Sequence, residues 1–426
     1  MAAGTDGGAA RTGSGGGARP LTRGRRALGC SIAALVVLIL VGGIASAFLA
    51  GSGYVPFFSM KTSWEAPYDR GTSDQGNGAW LAGDTVARSR FDGVTGYDVR
   101  SGKQRWDYVV PGRADICTVS PDATGTTVLI AYGEEDRCGT AVALDLTDGR
   151  ELWSSPGAPG TDAYAGVVTG GGLAVLLDHG GTVRALDLKT GTPRWKAAVP
   201  KGCEPGAVGA SAKQVLATVA CGDELKLAAF DPADGRERWT VPLDERRGVP
   251  ATMKASVLSA DPAVVFLAED GGDEKVAVLS FGPEGRPLAG VEGVGDYGSI
   301  EEVRVGGDRL FAIAAYEGSQ STWERVVAFD LATGDQVWRG DVGKADLDQL
   351  DVRDGRVTTV DLDKKYGDSL YVFDAATGEE EDDRSFRDRV GRGYAGTLGD
   401  LFTFEDRAVV VRWGAGERPV SVYERW

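Results

Sequence analysis

One ten-residue pattern recurs five times in register: an apolar residue, Asp, then Gly four positions after the Asp and Trp four after the Gly. The copies are YDVRSGKQRW ending at Trp106, LDLTDGRELW at Trp153, LDLKTGTPRW at Trp195, FDPADGRERW at Trp239 and FDLATGDQVW at Trp338. A sixth, FDAATGEEED, keeps Asp374 and Gly378 but has Asp382 in the Trp position, and a degraded seventh, FGPEGRPL from Phe281, lacks both Asp and Trp. Between Asp98 and Asp374 the period averages 46 residues. A chain repeating at that interval builds an array of like units, each burying its apolar faces against its neighbours.

Each copy reads as a β-hairpin. An alternating strand such as TVRALDL leads in, the Asp carboxylate accepts backbone N–H groups of the turn, and the Gly supplies φ > 0 before a second strand runs to the Trp. Further strand-like runs precede the hairpins, among them VLIAY (128–132), GLAVLLD (172–178) and LFAIAAY (310–316). Four short strands per unit is the blade of a β-propeller, and no sustained helical period appears after residue 50.

The pattern resembles the tryptophan-docking motif of the pyrroloquinoline-quinone-like propellers, the eight-bladed quinoprotein dehydrogenase-like superfamily, over nearly all of residues 61–426. The resemblance implies an all-β, eight-bladed propeller in which Trp64, Trp106, Trp153, Trp195, Trp239 and Trp338 pack between blades as structural residues. Ring closure follows from counting. The C-terminus offers three strands (401–404, 408–413, 419–426), and Lys61-Thr62-Ser63-Trp64 matches the end of the motif, so the N-terminal strand is expected to complete the last blade. Closure of that kind removes free sheet edges.

Cys117 and Cys203 each lie 28 residues before their turn Asp, and Cys138 and Cys221 follow near the strand entering the turn. Of three possible pairings, repeat equivalence favours Cys117–Cys138 and Cys203–Cys221, each within one blade.

The chain divides unevenly in charge. It has 426 residues and a net charge of -16, yet residues 1–27 carry five Arg against one Asp, which leaves -20 on the remainder. That Gly-rich, basic stretch reads as a disordered cytoplasmic tail. Residues 28–50 contain no charge and are long enough, at about 1.5 Å per residue, to cross a bilayer. Arg23, Arg25 and Arg26 on the N-terminal flank keep it cytoplasmic, so a single-pass anchor leads through a linker (51–60) to an extracytoplasmic propeller (61–426). Ala45-Ser46-Ala47 also fits a signal-peptide cleavage site, but the apolar run outlasts the usual signal peptide.

No catalytic constellation emerges. His179, the only imidazole, sits in a Gly-rich turn; Asp361, Asp363 and Asp368 lack the spacing of a calcium loop and read as a solvated connection; the acids 379–383 read as a solubilising run. Quinoprotein dehydrogenases in the resembling family hold a quinone and calcium, and no matched position here carries either, so neither cofactor nor metal is expected. The acidic exterior excludes nucleic acid. Function is then expected on the loops between second and third strands, with Tyr132, Tyr316, Trp323 and Tyr366 as candidate contacts for an envelope protein, secreted protein or small ligand. Trp323 reads either as an exposed contact anchor or as a residue packed on its own loop. A binding or scaffolding module is the favoured reading, and a quinone-dependent dehydrogenase with a diverged site is the alternative.

Overall fold

The computed structural model describes residues 35–48, 59–72, 76–134, 137–156, 166–178, 181–244, 248–269, 275–317, 322–343, 345–362, 367–391 and 398–426. Contacts divide the chain into two units, 1–49 and 50–426. In the first, residues 35–48 form a helix with exposed apolar side chains, a rise of about 21 Å. Among the described residues no helix is long and apolar enough to cross a membrane. The span expected over 28–50 is therefore described only in its central part; residues 28–34 and 49–50, the tail 1–27 and the linker to residue 58 lie outside the described residues.

The second unit is all β. Four-stranded antiparallel sheets occupy residues 79–109, 115–156, 167–198, 203–242 and 254–292, and a fifth strand, Val294–Gly295, is added at the inner edge of the sheet ending at residue 340. The remaining sheet has eight strands and consists of two antiparallel halves. One half covers residues 347–386; the other is Asp400–Phe404, Arg407–Val411, Val420–Arg425 and, from the far end of the chain, Ser59–Glu65. Ser59–Glu65 pairs antiparallel with Val420–Arg425, and its ladder with the other half is the two parallel pairs Ser59↔Ser385 and Met60↔Phe386. The strand begins two residues before the boundary expected from sequence.

Successive sheets pack face to face, and the apolar clusters lie between them. One joins Val168, Val175 and Trp195 to Val208, Val219 and Phe230 of the next sheet. Another joins Phe311, Val326 and Trp338 to Leu347, Val357 and Phe373. At about 1.5–3 kcal/mol per fully buried Val, Leu or Phe, the inter-sheet faces hold the unit together.

The indoles fix the spacing. Trp64, Trp106, Trp153, Trp195 and Trp338 donate Nε1–H to the carbonyl oxygens of Val99, Leu146, Leu188, Pro232 and Ala375, at 2.7–3.1 Å. Each acceptor lies one residue after the turn Asp of the following sheet. The turn Gly of that sheet lies under the ring: a Cβ on Gly149, at φ 71°, would stand 2.4 Å from Trp106 Cε3. Room on the other side comes from the residue facing each Trp in its own hairpin, which is Gly96, Ala143, Ala185, Ala229 or Ala328 in the five full copies. A β-bulge follows at the same position in every copy, turning the indole toward its neighbour.

The two Trp-less copies are compensated differently. In the copy at 281, Ser280 faces Ala289 in the Trp position and donates its hydroxyl to Leu331 O at 2.5 Å, the carbonyl an indole would have taken. At 382 the next sheet is the one completed by Ser59–Glu65, so its hairpin turn would fall between Arg425 and Ser59, which are not joined in sequence. With no turn to dock on, Asp382 instead pairs with Arg425 at 2.7 Å.

Candidate functional site

The hairpins give the propeller two unlike rims. One, the turn rim, carries the Asp–Gly turns together with the turns between first and second strands. Its chemistry is self-contained. Asp98 Oδ1 accepts the Ser101 amide at 2.8 Å, and Arg105 bridges Asp98 and Asp84. Burial acts to raise the Asp98 carboxyl, but hydrogen bonds from Arg105 and Ser101 prevail and hold it at about 2. Arg194 and Thr190 likewise hold Asp187 at about 2.

The opposite, connection rim carries the links between second and third strands and those between sheets. Both disulfides lie here. Cys203 and Cys221 are direct antiparallel partners, whereas Cys117 and Cys138 join the first and third strands of their sheet across the second. Tyr132 is half-buried against the cluster containing Ile116. Tyr316 and Trp323 face each other across a hairpin, rings edge to face at 6.1 Å, with the Arg325 guanidinium 3.4 Å above Tyr316. Trp323 is half-buried, packed edge-on against Tyr316. Tyr366, Asp363 and His179 lie outside the described residues.

The expectation of a solvated connection at 361–368 is corrected. Asp361 and Asp368 are buried: Asp361 accepts the Asp346 amide at 2.9 Å, and Asp368 accepts the Val390 and Gly391 amides. Each carboxylate ties a link between sheets to the sheet beside it, a role that depends on backbone groups up to 23 residues away.

The same device recurs with an electrostatic consequence that no sequence signal announced. Glu324 accepts the Leu347 amide of the next sheet, and Asp348 accepts the Leu398 amide of the link leading into the next sheet at 2.7 Å. Desolvation pushes Glu324 up to about 7 and Asp348 up to about 6, reinforced by the neighbouring carboxylates Asp346, Glu301 and Glu302. Asp400, in the axial channel, is pushed up to about 7 by burial, with Arg304 at 3.7 Å opposing. The channel is a cavity of about 650 Å³ whose walls include Trp80, Trp413, Phe402, Arg304, Asp351 and Asp400. Among the described residues no group of three or more His, Cys, Asp or Glu is placed to hold a metal ion.

These carboxyls take up protons more readily in the folded than in the unfolded chain. Stability is therefore expected to rise as pH falls from 7.5 to 5, by about 1–2 kcal/mol, before the low-lying turn carboxylates begin to titrate. The urea midpoint at the two pH values measures it, and Glu324→Gln, which keeps an acceptor for Leu347, should raise the pH 7.5 midpoint and flatten the dependence.

Comparison with known proteins agrees with this architecture. The family model described as outer membrane protein assembly factor BamB matches residues 60–204, 167–289 and 296–382. The assembly factor BamB of Burkholderia pseudomallei is 28% identical over 249 residues, covering 55% of this chain and 59% of that protein. The match thus spans about three fifths of that curated relative. The crystal structure of BamB from Moraxella catarrhalis aligns with a TM-score of 0.50 and 19% identity over 85% of this chain and 99% of its own. A quinohemoprotein alcohol dehydrogenase from Pseudomonas putida HK5 aligns with a TM-score of 0.51 and 13% identity over 87% of this chain and 77% of its own. Both structures share the fold.

Proposed function

The chain belongs to the family of the outer membrane protein assembly factor BamB, and from that premise we propose that it is an eight-bladed, membrane-anchored extracytoplasmic propeller that binds a protein partner through its connection rim, without catalysis of its own. The eight blades are the sheets counted with the eight-stranded one split at its two-residue parallel junction. The anchoring rests on the uncharged apolar run over 28–50, helical where it is described.

The observation carrying the binding role is the contrast between rims. On the turn rim the Asp carboxylates are consumed by their own turns and by Arg partners. The connection rim adds the Tyr316–Trp323 pair, with the Arg325 guanidinium over Tyr316, on a disulfide-braced scaffold. Aromatic side chains held by packing make efficient contact anchors because little freedom is lost on binding.

A photo-crosslinking residue introduced at Gly133 or Glu317 on the connection rim is expected to yield a discrete protein adduct in cells, and one at Lys189 on the turn rim is not. Trp323→Ala should cut that adduct about ten-fold, equivalent to about 1.4 kcal/mol of binding, at an unchanged melting temperature. Loss of the adduct only in step with lost stability would assign Trp323 to packing. Dye reduction on adding pyrroloquinoline quinone and calcium would overturn the non-catalytic reading in favour of a dehydrogenase.

A further inference from the structure

We propose that the strand Pro287–Glu292 is a self-association edge, which pairs antiparallel with the same strand of a second copy of this chain. It is the fourth strand of its sheet, at the end away from the axial channel, and no strand pairs with its outer side. An open edge of that kind invites another chain unless charge, shape or cover prevents it. Every other outer strand has a charged residue within two places of the docking position, such as Arg105 and Asp107, Arg194 and Lys196, or Arg339. Around Ala289, which holds that position here, Pro287, Leu288, Gly290 and Val291 carry no charge. The protection used around the ring is dropped at this one strand.

The absent side chains also leave a recess. Gly290 faces Leu279 across the hairpin, close enough that a Cβ at 290 would lie 3.3 Å from Leu279 Cδ2. Lys196 and Arg339 stand at the same register position in two other sheets. Beside Gly290 a cavity of about 470 Å³ opens toward the end of the preceding sheet, and its walls include Leu243, Leu279, Phe281 and Leu288.

The strand's own sequence fits that recess. In an antiparallel pair centred on Ala289 of both copies, Leu288 of each lies opposite Gly290 of the other, and Arg286 lies opposite Glu292 at both ends. Leu288 and Gly290 both border the cavity, so each leucine enters where the partner's glycine leaves Leu279 uncovered. Arg286 and Glu292 are exposed, and such ion pairs set register more than affinity. A two-fold contact uses one surface twice and closes on itself, here joining two four-stranded sheets into one of eight. A foreign peptide would have to reproduce this order of charge, leucine and glycine; a second copy supplies it by symmetry.

The test uses the full chain carrying Cys30→Ser, in detergent micelles at about 1–100 μM, the range suited to a small interface. Sedimentation velocity should show a dimer. Gly290→Lys should raise its dissociation constant at least about ten-fold by setting an ammonium group in the apolar contact. Because Lys196 occupies this position in another sheet, the variant should melt with its parent. Leu288→Arg, which installs the residue found at 105, 194 and 238, should act alike. Register is read with a short bismaleimide: the double variant Arg286→Cys, Glu292→Cys should cross-link two copies. Neither single variant should, because position 286 lies about 20 Å from its own symmetry mate. A monomer throughout the range, or a dimer indifferent to both Gly290→Lys and Leu288→Arg, overturns the proposal. Cross-linking by either single variant, or none by the double, overturns the antiparallel pairing about Ala289.

Discussion

Removing residues 59–65 is expected to abolish cooperative folding of the propeller, although the deletion takes only one strand of more than thirty. Without it the last sheet keeps three strands and exposes the edge of Val420–Arg425. Met60, 1% exposed, leaves the cluster it shares with Phe386 and Tyr423, and the Trp64 indole no longer reaches Val99 O. Hydrogen bonds from the Trp426 and Arg387 amides to Ser59 O and Met60 O are lost together with it. These losses take a large share of the roughly 5–15 kcal/mol by which a domain is stable. Far-UV circular dichroism should show a broad, early melt, and a synthetic peptide spanning residues 57–67 should sharpen it. A truncated chain that melts like the intact one would show that the ring is not closed by this strand.

Replacing one docking indole should be the most damaging single substitution. Trp106→Ala removes a side chain that is nine-tenths buried, its hydrogen bond to Leu146 O at 3.0 Å and its contact with Gly149. The expected cost is about 3–5 kcal/mol, typical of a buried Trp→Ala change. Gly149→Ala should also destabilise, because its Cβ would collide with the indole at a backbone conformation that disfavours it. The double variant should cost less than the sum, since truncating the ring removes the clash, and urea unfolding of the four proteins in a double-mutant cycle reads that coupling. Additive costs would mean that Gly149 acts through its backbone alone. Ser280→Ala, which removes only the hydroxyl substitute for an indole, should cost about 1 kcal/mol.

The repeat made the propeller legible because each copy packs turn chemistry, strand alternation and a large aromatic into ten consecutive residues. The small residue two places before each turn Asp is a further, weaker part of the same signal: Gly96, Ala143, Ala185, Ala229 and Ala328 precede the Trp-bearing turns, while Ser280 and Val372 stand where the Trp is missing. Other features were beyond reach of any local pattern. Asp361 and Asp368 looked like solvated loop acids because their partners, Asp346 and Val390, belong to links at different points of the chain. The raised carboxyls of Glu324, Asp348 and Asp400 arise where three sheets converge, and burial is a property of that convergence. Of the candidate contacts, Tyr316 and Trp323 come together because strand register places them opposite each other; Tyr132 lies in a different sheet.

The contact between the Trp426 amide and Ser59 O also makes the position of the chain break an editable property. An Asp–Gly turn spliced between residues 426 and 59, combined with Asp382→Trp and Val372→Ala, would give the terminal sheet the dock that it lacks. The molecule could then be opened at a different turn, provided that the Trp which formerly docked there were surrendered. The missing indole at 382 and the break in the last sheet between residues 425 and 59 are in this sense one decision, and a circular permutant would move both at once.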